Sequence, residues 1–348
     1  SLDADVEGEE GKSYVWNPAE ITQILGEQDG AAFCEAYDVS PEGNFERGSS
    51  NPVLVTDDFA RRQALAPLRA KLLEARSERT APGRDEKQLT AWNALLVRGL
   101  AEAAFAFARK DWLALARETA DWLWDNLRES DGSLHAVRYP GKDASGPAFV
   151  DDYAFLTEAL LTLASIVDWL DPGSSADYQT RAIELAETAL TRFRDPTLPG
   201  FFFTASDQAA PAETRQKLWY DNALPSGNSA LLRVFASLNL LTGEERWFRE
   251  FAEARAAYPK LALRAPQGIG HALAALAEQA IGIAVVKIKG VPIEPLVQIL
   301  KEKPYRLTHL RAVEDEEQPV GYQLCVGPEC QAPVEDPAEI ARLLHGEA

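Results

Sequence analysis

A loop-and-helix unit occurs three times in this sequence and limits the folds that the chain can adopt. In each copy a polar stretch with an aromatic residue leads into a helix that is apolar on nearly every side. The acidic residues that open the three copies, Asp85, Asp151 and Asp221, lie 66 and 70 positions apart. The apolar helices are predicted at residues 94–107, 154–170 and 230–241. Recurrence at this period predicts a repeat of helical hairpins whose polar loops meet at one mouth.

The helices between these copies have a different character. Residues 111–128, 177–193 and 244–257 carry apolar stripes with charged residues opposite, which is typical of helices that face water on one side. A helix that is apolar all round must instead be buried on every side. The alternation predicts a mainly α protein with an inner and an outer layer, a partial (α/α)6 toroid. With a fourth apolar helix from His271 to about Gln279, about four of six inner helices are expected.

The flanking segments differ from the repeats. Residues 1–56 are predicted as a strand-and-loop segment of the toroid with one short helix, which Asn17 starts and Gly26 stops. Residues 57–280 carry the hairpins, opening with a helix from Asp57 or Asp58 to about Arg79. That helix has a basic face expected in solvent: Arg61, Arg62, Arg69, Lys71, Arg76 and Arg79. Residues 281–348 are predicted as a small α/β tail.

The composition of the chain argues against several classes of binding partner and several cell locations. A net charge of −19 argues against nucleic acid and anionic membranes. No run of 18 apolar residues and no secretory leader are seen, so neither a membrane span nor export is expected. Three cysteines are too few for a disulfide framework and suit a cytoplasmic location. Cys325 and Cys330 are expected to be idle thiols, with a regulatory disulfide as the open alternative.

Four motifs in order resemble one family, the thioredoxin-domain-containing proteins related to a mammalian spermatogenesis-associated thioredoxin-like protein. They are residues 85–93, 151–156 and 224–229 and the tail over 325–333, together with the start at residues 1–5. The resemblance implies a toroid of the six-hairpin glycosidase and N-acylglucosamine 2-epimerase type, and no defined activity. Glu86 stands where the family more usually has Asp, and the thioredoxin-like segment is missing. The chain is therefore expected to be a C-terminal half.

The candidate acid and base residues lie where loops enter inner helices. We expect Asp151, Asp152, Asp221 and Glu86 to converge at the mouth, with His271 at the start of the fourth inner helix. Glycoside cleavage needs two carboxyl groups across the scissile bond, and a histidine can transfer protons in an epimerase. The alternative for each aspartate is a helix N-cap, and for His271 a structural role.

The candidate substrate-binding residues lie beside these carboxylates. Aromatic faces stack on sugar rings, and small polar side chains at a helix start can hold a hydroxyl group. The set comprises Trp92, Asn93, Tyr153, Trp219, Tyr220, Ser226 and Asn228, and Tyr14 and Trp16 are further aromatics that could join it. Core packing, for the aromatics, and a tight turn with a cap, for residues 225–229, are the alternatives. Neither a cofactor nor a metal is expected, since there is no phosphate-binding glycine loop or metal-ligand spacing.

These sequence features predict two alternative functions. The first is a glycosidase or sugar isomerase/epimerase that binds a saccharide at the mouth. The second is a non-catalytic scaffold for the missing half of the toroid, for a thioredoxin-like domain, or for a second copy that covers the open toroid edge. Catalysis on glycosides needs carboxyl groups facing each other across an open cleft, whereas a scaffold would hold them in caps and salt bridges.

Overall fold

A computed structural model describes residues 1–55, 58–208, 214–301, 308–313, 319–326 and 329–344. The chain divides into two compact units, Ser1–Lys87 and Gln88–Ala348. The boundaries predicted at residues 56 and 280 stay predictions. In the described ranges, no helix combines the length and the apolar character that a membrane crossing requires.

The first unit is a small helical assembly with its own core. Its elements are β1 (Asp5–Val6), β2 (Glu9–Glu10), α1 (Pro18–Leu25), α2 (Glu27–Ala36), α3 (Phe59–Ala64) and α4 (Ala66–Ser77). Asn17 and Glu20 form the expected capping box at the start of α1, which ends at Gly26 with φ of +87°. The alternating apolar and polar residues at 12–16 contribute one bridge among the described residues, from Trp16 to Ser50. Helix α2 was not predicted.

The helix predicted from Asp57 or Asp58 to Arg79 is two helices. Asp58 caps α3, while Asp57 lies outside the described residues. The break falls at Leu65, because Pro67 has no N–H to donate to the carbonyl of Gln63. The expectation that all its basic side chains face solvent is wrong.

Three of the arginine side chains contact other residues of the first unit. Arg79 donates to the carbonyls of Ser13 and Val15. Arg69 donates to the Tyr37 hydroxyl, and Arg76 lies over the ring of Tyr14. The long aliphatic stems of these side chains cover apolar surface that the helical pattern alone does not reveal.

The second unit confirms the predicted two-layer arrangement of hairpins. Its helices are α5 (Thr90–Phe107), α6 (Lys110–Leu127), α7 (Val150–Ala164), α8 (Ser175–Phe193), α9 (Gly227–Thr242), α10 (Glu245–Arg255), α11 (Tyr258–Arg264) and α12 (Gly270–Ile281). Helices α5, α7, α9 and α12 pack side by side in that order, and α6, α8 and α10 each pack outside one of them. This is part of an (α/α)6 toroid.

The inner helices are not equally buried. Helix α7 buries 13 of its 15 residues and α9 buries 12 of 16, because each has an inner neighbour on both sides. The expectation of all-round burial is wrong for α5, which stands at the end of the row and buries 5 of 18. It leaves Trp92, Leu96 and Phe107 more than half exposed.

One long connection forms a small sheet at the entrance to α5. Strands β3 (Gln88–Leu89), β4 (His135–Arg138) and β5 (Ala144–Pro147) pair antiparallel in that order. Two stretches have strand-like sequences, residues 133–139 and 200–204. The first contains β4, whereas the second contributes one bridge among the described residues, between Arg194 and Phe201.

The C-terminal tail is the α/β piece that the sequence predicts. It contains β6 (Ala284–Lys289), α13 (Glu294–Leu300), β7 (Thr308–Ala312), β8 (Gly321–Val326), β9 (Glu329–Cys330) and α14 (Pro337–Leu344). The sheet order is β7-β6-β8-β9, with β6 parallel to β7 and antiparallel to β8. Cys325 and Cys330 face each other across β8 and β9 and form a disulfide, so the expectation of idle thiols is wrong.

Candidate functional site

Asp152 connects the starts of two inner helices. Its Oδ2 accepts from the backbone N–H of Phe149, at the start of α7, at 2.8 Å. Its Oδ1 accepts from the backbone N–H of Ala91, in the first turn of α5, at 3.0 Å. The first N–H groups of a helix have no partner within the helix, so one carboxylate satisfies an orphan donor on each of two helices.

Asp151 and Asp221 repeat this arrangement along the row. Asp151 Oδ1 accepts from the N–H of Gly227, the first residue of α9, at 2.9 Å. Asp221 accepts from the N–H of Ser226 with one oxygen and from the N–H of His271, in the first turn of α12, with the other. Through these bonds the three aspartates link all four inner helices by their N-termini. Each serves as a cap, the alternative weighed from the sequence.

Burial changes the acidity of two of these groups. It raises the pKa of Asp151 to about 6, against the opposing bond from the Gly227 N–H. Burial raises the pKa of Asp152 further, to about 7, although the Phe149 and Ala91 N–H groups favour its ionised form. Both carboxyl groups therefore take up protons near neutral pH.

The predicted substrate-binding residues separate into exposed and structural groups. Trp92 and Tyr220 expose about half of their surface. Tyr153 is a core residue whose hydroxyl accepts from the N–H of Leu134, and Trp219 packs edge-on against Tyr258. Only the first two are free to stack on a ligand.

The polar members of the set mainly hold loops. The Asn228 side chain bonds both the N–H and the carbonyl of Phe201 and also the carbonyl of Leu218. Ser226 caps α9 through the N–H of Ser229, and Asn93 donates to the carbonyl of Leu89. These contacts match the turn-and-cap alternative.

Below the mouth, charged side chains from all four inner helices form a cluster that the sequence analysis missed. Glu158 of α7 is 4% exposed and lies at its centre. Its Oε1 is 3.0 Å from Arg98 Nη1 of α5, 2.9 Å from Arg233 Nη1 of α9 and 3.0 Å from His271 Nε2 of α12. Two outer carboxylates complete the cluster, Glu102 beside Arg98 and Glu278 beside Arg233.

The cluster keeps Glu158 ionised. Burial alone would raise its pKa, but the bond from His271 and the charges of Arg98 and Arg233 hold the pKa below its ordinary value. A sequence signal existed: each of these helices is apolar except for one or two charges on the face turned toward the neighbouring inner helices. A charge in an otherwise apolar helix requires a partner, and that requirement could have identified Arg98, Glu158 and Arg233.

His271 is the one predicted catalytic residue that reaches this cluster by its side chain. Its Nε2 faces Glu158, whereas Nδ1 has no hydrogen-bond partner within the described ranges. Glu86 lies in the first unit, where it pairs with Arg84. Among the residues that the structure describes, no group of three His, Cys, Asp or Glu is placed to hold a metal ion.

Comparison with known proteins supports the resemblance inferred from the sequence. No protein-family model matches the chain. Spermatogenesis-associated protein 20 of Mus musculus is 25% identical over 97% of this chain and 49% of its own length. The Homo sapiens protein of that name is also 25% identical, over 97% of this chain and 50% of its own length. The chain thus spans about half the length of the curated relatives it matches.

Solved structures with similar folds include two classes of sugar-acting enzyme. A cellobiose 2-epimerase from Spirochaeta thermophila has a TM-score of 0.41 and 15% identity, over 53% of this chain and 45% of its own. A family 76 α-mannanase from Bacteroides thetaiotaomicron has a TM-score of 0.41 and 15% identity, over 51% of this chain and 46% of its own. Identities this low concern the fold alone.

Proposed function

We propose that this protein is a sugar isomerase or epimerase whose proton-transfer site is the Glu158 cluster. The observation that carries the proposal is one buried carboxylate bonded to His271, Arg98 and Arg233, each from a different inner helix. We propose a sugar as the substrate because of the resemblance to toroids of the glycosidase and epimerase type. The exposed rings of Trp92 and Tyr220 suit stacking on a sugar.

The proposed chemistry is proton removal from the carbon next to a carbonyl group. His271 takes the proton on Nδ1, while Glu158 orients the ring through Nε2 and stabilises the imidazolium that forms. The electron pair of the broken C–H bond forms a C=C bond, and the π pair of the carbonyl group moves onto its oxygen, giving an enediolate. The guanidinium groups of Arg98 and Arg233 stabilise that negative charge. Return of the proton to the neighbouring carbon, with the hydroxyl proton passing to the former carbonyl oxygen, gives an isomer. Return to the same carbon after the enediolate has rotated, so that its opposite face meets His271, gives an epimer.

This assignment is preferred over glycoside hydrolysis because of how the aspartates are used. Hydrolysis needs one carboxyl group beside the leaving oxygen and a second one facing it. Asp151, Asp152 and Asp221 instead point into the backbone of neighbouring helices. The same caps favour the second candidate function, a non-catalytic scaffold in which the Glu158 cluster only locks four helices together.

Exchange of carbon-bound hydrogen in D2O separates the two functions. The full chain is incubated with aldoses, ketoses, N-acetylglucosamine and cellobiose, and loss of the proton signal next to the carbonyl is followed by NMR. We expect exchange with at least one sugar, abolished in His271→Gln and retained in His135→Gln. The control histidine bonds Glu129, outside the cluster.

A folded protein that exchanges no sugar proton and releases no new reducing end would refute the proposal and leave the scaffold. New reducing ends without exchange would indicate hydrolysis. Exchange that survives His271→Gln would remove His271 from the mechanism.

A further inference from the structure

The first unit contains a cavity of about 620 Å³, a volume within the range of small-molecule sites. It lies between the segment before α1, helix α2 and helix α4. Its principal lining residues are Tyr14, Trp16, Phe33, Tyr37, Arg69 and Arg76. Nothing in the proposed sugar chemistry uses it.

One wall of the cavity is aromatic and rigid. Trp16, Phe33 and Tyr37 are each at least nine-tenths buried. The rings of Phe33 and Tyr37 stack with centroids 4.4 Å apart. The guanidinium of Arg79 covers the ring of Trp16 at 3.9 Å. Packing already orders these apolar side chains, so binding against them costs little further entropy.

Helix α4 brings positive charge to the lining of the cavity. Arg69 and Arg76 lie two turns apart on α4, so they face the same way. Arg69 uses one terminal nitrogen, Nη1, to bond the Tyr37 hydroxyl and the carbonyl of Arg62. Within the described residues neither arginine forms an ion pair with a carboxylate.

The lining of this cavity is basic, although the chain as a whole has a net charge of −19. The ten residues that line the cavity include no Asp or Glu. Elsewhere in the first unit, by contrast, Arg61 pairs with Glu35 and Arg79 lies near Glu20. Two guanidinium groups with no carboxylate partner among the described residues, in a cavity lined by aromatic rings, are complementary to an anion with a flat or apolar body.

We infer that this cavity binds a small organic carboxylate. Its ring or chain lies on the wall of Trp16, Phe33 and Tyr37, and its carboxylate accepts hydrogen bonds from Arg69 and Arg76. The residues of this site are different from those of the Glu158 cluster. Carboxylate binding here and sugar chemistry at Glu158 can therefore be tested independently.

The test uses Trp16 as a reporter inside the cavity, since it is the only tryptophan in residues 1–87. The full chain is labelled with 5-fluorotryptophan, and Trp16→Phe assigns its fluorine signal. Indole-3-acetate and hexanoate are titrated at millimolar concentrations, with indole-3-acetamide as the uncharged match. We expect a saturable shift of the Trp16 signal with the carboxylates. Loss of the charged hydrogen bonds should weaken binding of the amide roughly tenfold to a hundredfold.

The matched variants are two double substitutions with the same change of charge. Arg69→Gln with Arg76→Gln should abolish the preference for acid over amide. Arg62→Gln with Lys71→Gln, at exposed positions outside the lining, should keep it. No shift of Trp16 with either carboxylate, equal affinity for acid and amide, or an unchanged preference in the Arg69 and Arg76 variant would each overturn the inference. A single Trp16 signal, distinct from its position in the urea-unfolded chain, checks that the first unit of each variant folds.

Discussion

The buried carboxyl group of Asp152 should make the stability of the protein fall as pH rises from 4 to 7. Its pKa is raised from 3.8 to about 7 in the folded chain. Below pH 4 the group is protonated in both states and contributes no pH dependence. Between pH 4 and 7 the unfolded chain has lost this proton while the folded chain retains it, so raising the pH favours unfolding.

The size of this effect follows from the shift. One pKa unit corresponds to about 1.4 kcal/mol, so a shift of about three units lowers the free energy of unfolding by about 4 kcal/mol across the window. The Asp152→Asn variant is neutral at every pH and lacks this component. We therefore expect the stability of the wild type relative to Asp152→Asn to fall by about that amount between pH 4 and 7.5.

The assay is urea denaturation followed by circular dichroism at 222 nm, at half-unit steps of pH. Taking the difference between the two proteins cancels the titrating groups that do not interact with Asp152, whereas Asp151, whose charge acts on Asp152, does not cancel. An Asp177→Asn variant, at an exposed carboxylate in the first turn of α8, controls for the loss of one negative charge. A difference that is constant with pH, or that grows in favour of the wild type as pH rises, would refute the reasoning. The second outcome would mean that the two helix N–H groups outweigh burial.

Two further predictions concern packing and covalent links. A Cβ at Gly227 would lie 2.4 Å from Asp151 Oδ1 and 2.8 Å from Val150 Cγ1, whereas one at Gly99 meets nothing within 4 Å. Gly227→Ala should therefore lower the free energy of unfolding by roughly 1–3 kcal/mol, and Gly99→Ala, also in a helix, should raise it by roughly 0.5–1 kcal/mol. Equal effects in urea denaturation would contradict the close contact. The Cys325–Cys330 disulfide closes a short loop in the tail sheet, so Cys330→Ser should destabilise that sheet by about 2 kcal/mol. Faster amide exchange confined to β6 and β8 is the expected measurement, and unchanged exchange there would argue against a stabilising link.

Much of the fold was predictable because its causes are local. The capping box at Asn17, the stop at Gly26 and the alternation of apolar and striped helices all depend on residues within a few turns of one another. The same local patterns placed Asp151, Asp152 and Asp221 at helix starts. Their alternative role as caps was visible in the sequence too, because aspartate is a good cap wherever it precedes a helix.

Local sequence patterns could not predict which helix each carboxylate would cap. Asp152 reaches the N–H of Ala91, 61 positions away, and Asp151 reaches Gly227, 76 positions away. Those pairings depend on the order in which the inner helices pack. The exposure of Trp92 has the same origin, because an apolar helix is buried all round only if it has a neighbour on each side.

The hairpin repeat, the two layers and the α/β tail could be predicted from the sequence, since hydrophobic period and turn chemistry are properties of short segments. The contacts inside the protein depend instead on how the helices pack. Helix packing brought Glu158 against His271, 113 positions away, and against Arg233, 75 positions away. It also turned Arg69 and Arg76 from an expected solvent face onto an aromatic cavity. Partners so distant in sequence are chosen by packing, because a buried charge must find its opposite wherever the fold places it.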